Sequence, residues 1–291
     1  MFQYIEAKSI LSKLREKDTY FGISYSMNLY RGCQHACIYC DTRSECYGIC
    51  DISKISVKKN ALELLHKELA AKRKNRATIG TGSMNDPYMP LEKQLQLTRR
   101  ALEIICAEKF PVHIITKSVL VARDTDILQK IAKTYAAVSF TITTADDTLA
   151  QKIEPHAPPT SERFRAMKHL AKAGIYTGVT LMPLLPFIND TAENLTAIIQ
   201  TAKESGASYI LPMFGVTMRK GSREYFYKEL DKQFPKIKEK YQANFAEKYE
   251  CFSPNYRVLT NIFQKLTKNL DIETKMNFYQ PKTYLQQSIF S

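Results

Sequence analysis

Between about Tyr25 and Pro212, short β-rich runs alternate with segments whose apolar residues recur at i, i+3 and i+4. That is the rhythm of βα units feeding a parallel sheet. The pattern predicts strands over residues 24–30, 77–81, 112–116, 137–143, 176–182 and 209–212. The stripes between them predict helices. They run through Leu62, Leu65 and Leu69; Leu97, Ala101, Ile104 and Ile105; Ile127, Leu128 and Ile131; Phe164, Met167 and Leu170; and Leu195, Ile198, Ile199 and Ala202. Gly174 and Gly206 fall just past two of these helices, where a left-handed residue closes a helix at least expense. Asp190 with Glu193 predicts a capping box opening the last one. Six units are too few for a closed eight-stranded barrel of about 250 residues. The expected fold class is therefore α/β, an open partial (β/α)6 barrel of TIM type whose strand C-termini share one rim.

Residues 213–291 lose the rhythm. Helical stretches over 223–234 and 255–270, rich in Lys, Tyr and Phe, predict a C-terminal helical extension packed on the barrel. The domain reading is a lead-in over 1–24, a core over 25–212 and this extension. Hydrophobic residues make up 44% and charged residues 24%, as in globular proteins with a sizeable core. The most apolar stretch, 179–188, is broken by Pro183 and Pro186 and falls short of the roughly 20 residues a membrane span needs. No secretory leader is recognisable. The expectation is a cytoplasmic monomer.

Charge adds a candidate partner. The chain carries a formal +13, and residues 213–291 hold 14 Lys and Arg against 8 Asp and Glu, with 15 of the 31 Phe and Tyr. Clustered cations suit a polyanion, nucleic acid first, although the same composition suits helices that bury rings and solvate lysines. Arg219, Lys220 and Arg223 form the cation cluster nearest the end of the core.

Three of the seven cysteines are crowded into Cys33-Gln34-His35-Ala36-Cys37-Ile38-Tyr39-Cys40. The number is odd and the spacing tight, so a disulfide framework is not expected. Three thiolates on one loop can wrap three irons of a cubane and leave the fourth open to a small chelating cosubstrate. Structural zinc would want four ligands, usually two separated pairs. There is no second C-x2-C, and His35 is wedged between two of the thiols.

The array resembles the signature of the radical SAM superfamily, including the aromatic Tyr39 before the last cysteine. The stretch from Asn28 through Tyr47 is similar to the spore photoproduct lyase-like branch. So are Thr81-Gly82-Ser83-Met84-Asn85-Asp86-Pro87-Tyr88, Thr116-Lys117-Ser118, Ser139-Phe140-Thr141-Ile142-Thr143 and Glu154-Pro155. The similarity covers roughly residues 20–212. It implies a barrel of the radical SAM kind with a [4Fe–4S] cluster on Cys33, Cys37 and Cys40 and S-adenosylmethionine (SAM) on the open iron. One electron would split SAM into methionine and a 5′-deoxyadenosyl radical that abstracts a hydrogen atom from the substrate. It further implies SAM contacts from Tyr39 near the adenine, Gly82 and Ser83 near the methionine end, Lys117 at the carboxylate, and Thr141. The electron donor would be a flavodoxin or ferredoxin.

One departure changes the picture. The lyase of this branch has a cysteine two residues before the serine that corresponds to Ser83, whereas here that position is Thr81, whose O–H bond is too strong to give up a hydrogen atom readily. Cys46 is a candidate substitute thiol, although the same residue also suits a small buried position, and a second cluster would have to draw on Cys46, Cys50, Cys106 and Cys251. Three functions follow: radical SAM chemistry on nucleic acid, of a DNA repair lyase kind; the same chemistry on a peptide or small metabolite; or a non-catalytic metal-cluster module that binds nucleic acid.

Overall fold

The structure, a computed structural model, describes residues 2–16, 18–49 and 51–281. The chain begins with β1 (Phe2–Ile5), β2 (Leu11–Lys13), β3 (Tyr25–Met27), β4 (Tyr30–Arg31) and β5 (Ile55–Lys58). Then follow α1 (Ala61–Ala71), β6 (Ile79–Thr81), α2 (Glu92–Leu95), α3 (Leu97–Ala107), β7 (Val112–Thr116) and α4 (Thr125–Ala132). Next are β8 (Ala136–Thr141), α5 (Asp147–Ile153), α6 (Thr160–Lys172), β9 (Tyr176–Leu181), α7 (Ala192–Glu204) and β10 (Tyr209–Pro212). Beyond them lie β11 (Gly215–Thr217), α8 (Ser222–Gln233), α9 (Ile237–Phe245), β12 (Glu250–Phe252) and α10 (Tyr256–Asn269).

Strands β3, β6, β7, β8, β9 and β10 pair in chain order and all in parallel. Strand β2 adds antiparallel to the free side of β3. The edges β10 and β2 do not meet among the described residues, so the barrel is open. Every residue of β8 is buried, as expected of a parallel strand covered on both faces. The helix stripes supply the cover: Ala101 and Ile105 of α3, Ile127, Leu128 and Ile131 of α4, and Ile198 and Ile199 of α7 share one apolar cluster with Val112, Ile114, Val138 and Phe140. Fully burying each Leu or Ile is worth about 1.5–3 kcal/mol, which fixes the helices to the sheet.

The structure differs from the sequence reading in four places. The strand expected over 24–30 breaks after Met27, and β4 leaves the barrel to pair antiparallel with β5, which also takes β1 in parallel. Residues 2–13 therefore belong to sheets rather than to a mere lead-in. The cap of α7 is Thr191, whose Oγ1 accepts from the Asn194 amide at 3.2 Å. Asp190 is buried instead and accepts from Ser253 Oγ at 2.5 Å, which ties the extension to the loop before α7. Finally, the extension is not purely helical, because β11 and β12 form an antiparallel pair. Val216, Phe226, Leu230, Tyr241 and Phe245 of this region pack with Ile38, Ile153 and Leu185 of the core.

Residues 273–277 cross the N-terminal ends of the barrel strands. The Ile210 amide donates to the Glu273 carbonyl at 2.9 Å, and the Tyr135 hydroxyl donates to the Asn277 carbonyl at 2.8 Å. The opposite rim, where the strands end, is left for the site.

Candidate active site

The cysteine loop lies across the C-terminal rim and is tied down at several points. Gly32 opens it at φ +88°, and a Cβ there would sit 2.7 Å from the Ile52 carbonyl oxygen. The Cys33 amide donates to that same carbonyl at 2.8 Å. From the far side, the Ile38 amide donates to the Ile153 carbonyl at 2.9 Å, and the His156 amide donates to the His35 carbonyl at 3.2 Å. Asn85 Nδ2 reaches the Tyr30 carbonyl at 2.7 Å, and Thr42 Oγ1 reaches that of Met84 at 3.0 Å.

A cleft of about 320 Å³ opens between this loop and the strand ends. Cys33, Cys37 and Cys40 line it, together with Tyr39, Gly82, Ser83, Lys117 and Thr141. Gly82 holds φ +90°, and a Cβ there would lie 2.3 Å from the Ile115 carbonyl oxygen, so only glycine lets the turn after β6 lie this close to β7. Ser83 Oγ is 2.9 Å from Ser26 Oγ, and Thr141 Oγ1 is 2.9 Å from Thr180 Oγ1. Thr81 is buried in β6 and does not line the cleft. Cys46 is exposed and also outside it. Cys106 sits on α3 and Cys251 on β12, so these thiols are on separate elements; Cys50 lies outside the described residues.

Behind the loop stands a group of buried charges that the sequence reading did not join. The Tyr39 hydroxyl donates to Glu154. Glu154 in turn faces Arg163 Nη1 at 2.5 Å, with both side chains almost wholly buried. Arg163 also donates to the carbonyls of Pro158 at 2.8 Å and Thr141 at 3.0 Å. Burial pushes the Glu154 carboxyl up, but Arg163, Lys117 and the Tyr39 hydroxyl together hold it below its ordinary value. Burial likewise works against the Lys117 ammonium, but the Glu154 carboxylate, joined by Cys37 whenever that thiol is ionised, more than offsets it, so Lys117 stays protonated. Its Nζ lies 5.6 Å from the Tyr39 ring centroid.

Asp86 braces the other side. It accepts from Thr116 Oγ1 at 2.6 Å, the Lys117 amide at 2.7 Å and the Tyr88 amide at 2.8 Å. Its Oδ2 lies 3.3 Å from His35 Nδ1. Burial alone would raise this carboxyl, yet His35 and the donors hold it at about 2. His35 is thus turned toward Asp86. These pairings span loops far apart in sequence, and only the presence of Asp86 and Glu154 within family-like motifs hinted at them.

The donor set fits an iron–sulfur cluster. Three free thiols line one cleft, where a charge on Cys40 would raise Cys33 and a charge on Cys40 or Cys33 would raise Cys37. Burial pushes the Cys33 thiol up to about 11 and Cys37 higher, so ligation must displace protons. Structural zinc would want a fourth ligand, and among the described residues Cys33, Cys37 and Cys40 are the only cysteines in the cleft lining, where His35 is turned toward Asp86. A cluster of several irons, reached by thiolates around its periphery, suits the arrangement better.

The sequence model of the Radical SAM superfamily matches residues 27–200. This chain belongs to the radical SAM superfamily. The cofactors of that superfamily, and of this member, are a [4Fe–4S] cluster and SAM. An uncharacterised protein of Methanocaldococcus jannaschii is 32% identical over 237 residues, covering 80% of each chain. One of Mycobacterium tuberculosis is 26% identical over 264 residues, covering 88% of this radical SAM protein and 76% of the relative. The fold is that of spore photoproduct lyase. A mutant lyase with bound AdoMet and a dinucleoside spore photoproduct superimposes with a TM-score of 0.67 at 14% identity, over 92% of this chain and 78% of that one. SuiB of Streptococcus suis, bound to its precursor peptide SuiA, gives 0.50 at 10% identity, over 96% and 47%. No helix among the described residues is long and apolar enough to cross a membrane.

Proposed function

We propose that Cys33, Cys37 and Cys40 ligate the cluster and that SAM occupies the cleft beside them, to start hydrogen abstraction from a substrate. When bound, the reduced cluster supplies the electron that breaks the sulfur–C5′ bond of SAM and yields a 5′-deoxyadenosyl radical. Lys117, kept protonated by the charges around it, offers the SAM carboxylate a cation. Ser83 and the Gly82 turn receive the methionine end, Tyr39 borders the adenine, and Thr141 supplies a hydroxyl. The enclosing loop keeps water from the reactive centre. The observation that carries this reading is the convergence of the three thiols with Lys117 and Ser83 on one cleft at the barrel rim.

The substrate reading we favour is a nucleic acid. The net charge of +13 supports it, as does the dinucleoside photoproduct seen with the lyase that shares the fold. Of the cation cluster at the end of the core, Arg219 pairs with Asp41, Lys220 with Glu45, and Arg223 is buried against Glu247 and the carbonyls of Met218 and Lys248, so this cluster lends the reading little support. A peptide substrate is the second reading, supported by the SuiB–SuiA likeness. Thr81 argues against photoproduct reversal through a thiol at that position. Exposed Cys46, outside the cleft, has no part in the steps proposed here. A flavodoxin or ferredoxin as reductant and a cytoplasmic monomer complete the proposal.

The test is anaerobic reconstitution. The protein is expected to hold about four irons, to give a cubane EPR signal that changes shape with SAM, and to form 5′-deoxyadenosine on reduction. Replacing any one of the three cysteines with Ala should abolish cluster and product together. Zinc bound through these thiols in iron-replete, anaerobic preparations, without cubane formation, would overturn the reading.

A further inference from the structure

Among the described residues six large apolar side chains stand exposed, and four of them, Tyr249, Phe252, Tyr256 and Val258, fall within one short stretch of chain. Such a concentration marks an interaction surface rather than the scattered apolar residues any surface shows. It lies where β12 runs into α10, directly beside the radical cleft. Strand β12 pairs with β11, and Val216 and Thr217 of β11 line that cleft. A second groove, of about 300 Å³, opens between Phe214, Phe252, Tyr256 and Phe263, with Thr260, Gln264 and Thr274 as its polar members. Met213 borders both spaces. The Tyr256 ring centroid is 5.9 Å from that of Phe214 and 5.8 Å from that of Phe252, both edge-on.

Charge selects the occupant. From Cys251 to Leu270 the chain has no Asp or Glu, and its three cations, Arg257, Lys265 and Lys268, are all exposed. An apolar peptide side chain would find the same rings, but nothing in a neutral peptide would use an acid-free, cationic helix face. A single nucleic-acid strand uses both, with rings stacking on bases while cations follow phosphates.

We infer that the groove between Phe252, Tyr256 and Phe214 is a nucleobase subsite, which takes a base of a single-stranded nucleic acid next to the nucleotide presented to the cleft. Gln264 and Thr260 supply polar atoms for the edge of that base, and the cations of α10 lie under the adjoining phosphates. This inference rests on the nucleic-acid reading above and gives it a place on the protein.

The experiment uses the reconstituted full chain and a short fluorescein-labelled single-stranded oligodeoxynucleotide. Phe252→Ala and Tyr256→Ala should each weaken binding about tenfold without changing its salt dependence, because stacking is removed while the cations still neutralise phosphates. Arg257→Gln, Lys265→Gln and Lys268→Gln combined should flatten the salt slope by about 0.7 for each phosphate that is no longer neutralised. A strand carrying 5-iodouracil provides a readout that needs no substitution: ultraviolet crosslinks to the wild type should map to Phe252 or Tyr256. Crosslinks confined to other elements, or aromatic variants that bind like the wild type, would overturn the subsite. If the wild type forms 5′-deoxyadenosine yet binds acidic or neutral peptides and no oligonucleotide, the subsite fails while the radical SAM reading stands. If 5′-deoxyadenosine never forms but the crosslinks map as stated, the subsite stands and the catalytic reading fails.

Discussion

The phenol of Tyr39, the residue before Cys40, donates its hydrogen to the carboxylate of Glu154, 115 positions further along the chain. Glu154 is the shared partner of a ring on the cysteine loop and of the buried Arg163 guanidinium on α6. The loop is thereby fixed to the barrel through Glu154 and Arg163, neither of which is part of the cleft lining.

The two partners of Glu154 are expected to differ in what their loss does. Tyr39→Phe removes one hydrogen bond and leaves the carboxylate with its cations, at about 1–3 kcal/mol. Glu154→Gln leaves Arg163 buried without a countercharge, at about 3–5 kcal/mol. Denaturant unfolding of the apoprotein should rank the variants in that order, with iron uptake impaired more in Glu154→Gln. Equal stability of Glu154→Gln and the wild type would show that Arg163 finds its compensation elsewhere.

Lys117 follows the last residue of β7 and lines the cleft, and the Glu154 carboxylate helps to keep it charged. A charge-assisted contact with a carboxylate is worth about 1.5–3 kcal/mol, so Lys117→Met should weaken SAM binding about tenfold or more. Ser83→Ala should weaken it less, since Ser26 already partners that hydroxyl. Equilibrium dialysis with reconstituted protein reads the affinity, and the EPR signal without SAM should persist in both variants. Unchanged affinity in both would place SAM elsewhere on the rim.

Arg219 connects the extension to the cleft wall. Besides Asp41 it donates to the Tyr47 hydroxyl at 3.2 Å and the Tyr249 hydroxyl at 2.9 Å, while Arg43 stacks on Tyr225 with its guanidinium carbon 3.7 Å from the ring centroid. Arg219 and Asp41 are 38% and 29% exposed, so the pair should add no more than about 1 kcal/mol to global stability. Its effect is expected to be local. In Arg219→Ala, amide hydrogen exchange should accelerate over residues 41–48 and leave β7 and β8 protected. Loss of protection throughout the barrel would mean that extension and core unfold as one unit.

How far the sequence revealed this molecule follows from the range of each interaction. The strands of the barrel are buried on both faces and therefore read as apolar β-rich runs, and the helices between them carry intact stripes. The cysteine loop was legible because its three thiols sit within eight positions. The short β1 and β2 carry too few residues to show an alternation, so their pairing with β5 and β3 is settled by the tertiary structure. Thr191 and Asp190 are adjacent potential caps, and only the demand of Ser253 for a partner decides between them. Glu154 and Arg163, like His35 and Asp86, are single polar residues whose meaning depends on a partner brought in by the fold.

The last prediction concerns His113, buried in the barrel interior away from the cysteine loop. Its Nδ1 is 3.1 Å from the Phe21 carbonyl oxygen and its Nε2 is 2.7 Å from Ser139 Oγ, which lies 2.7 Å from the Tyr209 hydroxyl. A carbonyl can only accept, so Nδ1 carries the hydrogen of the neutral ring and Nε2 accepts from Ser139. Ser139 must then accept from Tyr209, and one consistent chain of donors runs from Tyr209 to Phe21. Protonation of Nε2 would turn it into a donor to Ser139 and leave one of the two hydroxyl hydrogens, that of Ser139 or that of Tyr209, without an acceptor in this chain. Burial accordingly pushes the His113 pKa down to about 4 from its ordinary 6.5, against the pull of the Phe21 carbonyl. The sign follows from proton counting: below about 6.5 the unfolded chain binds a proton here that the folded chain refuses until about 4. The stability this group contributes is complete above about pH 6.5 and is lost as pH falls toward 4, by about 3 kcal/mol in all. Asp86, held at about 2, adds its own loss only below about pH 4. Urea unfolding of the apoprotein at stepped pH should show this decline between pH 6.5 and 4.5, and His113→Gln, which cannot titrate, should flatten it. A wild-type stability that stays level across that window would mean that the His113 ring accepts the proton inside the folded barrel.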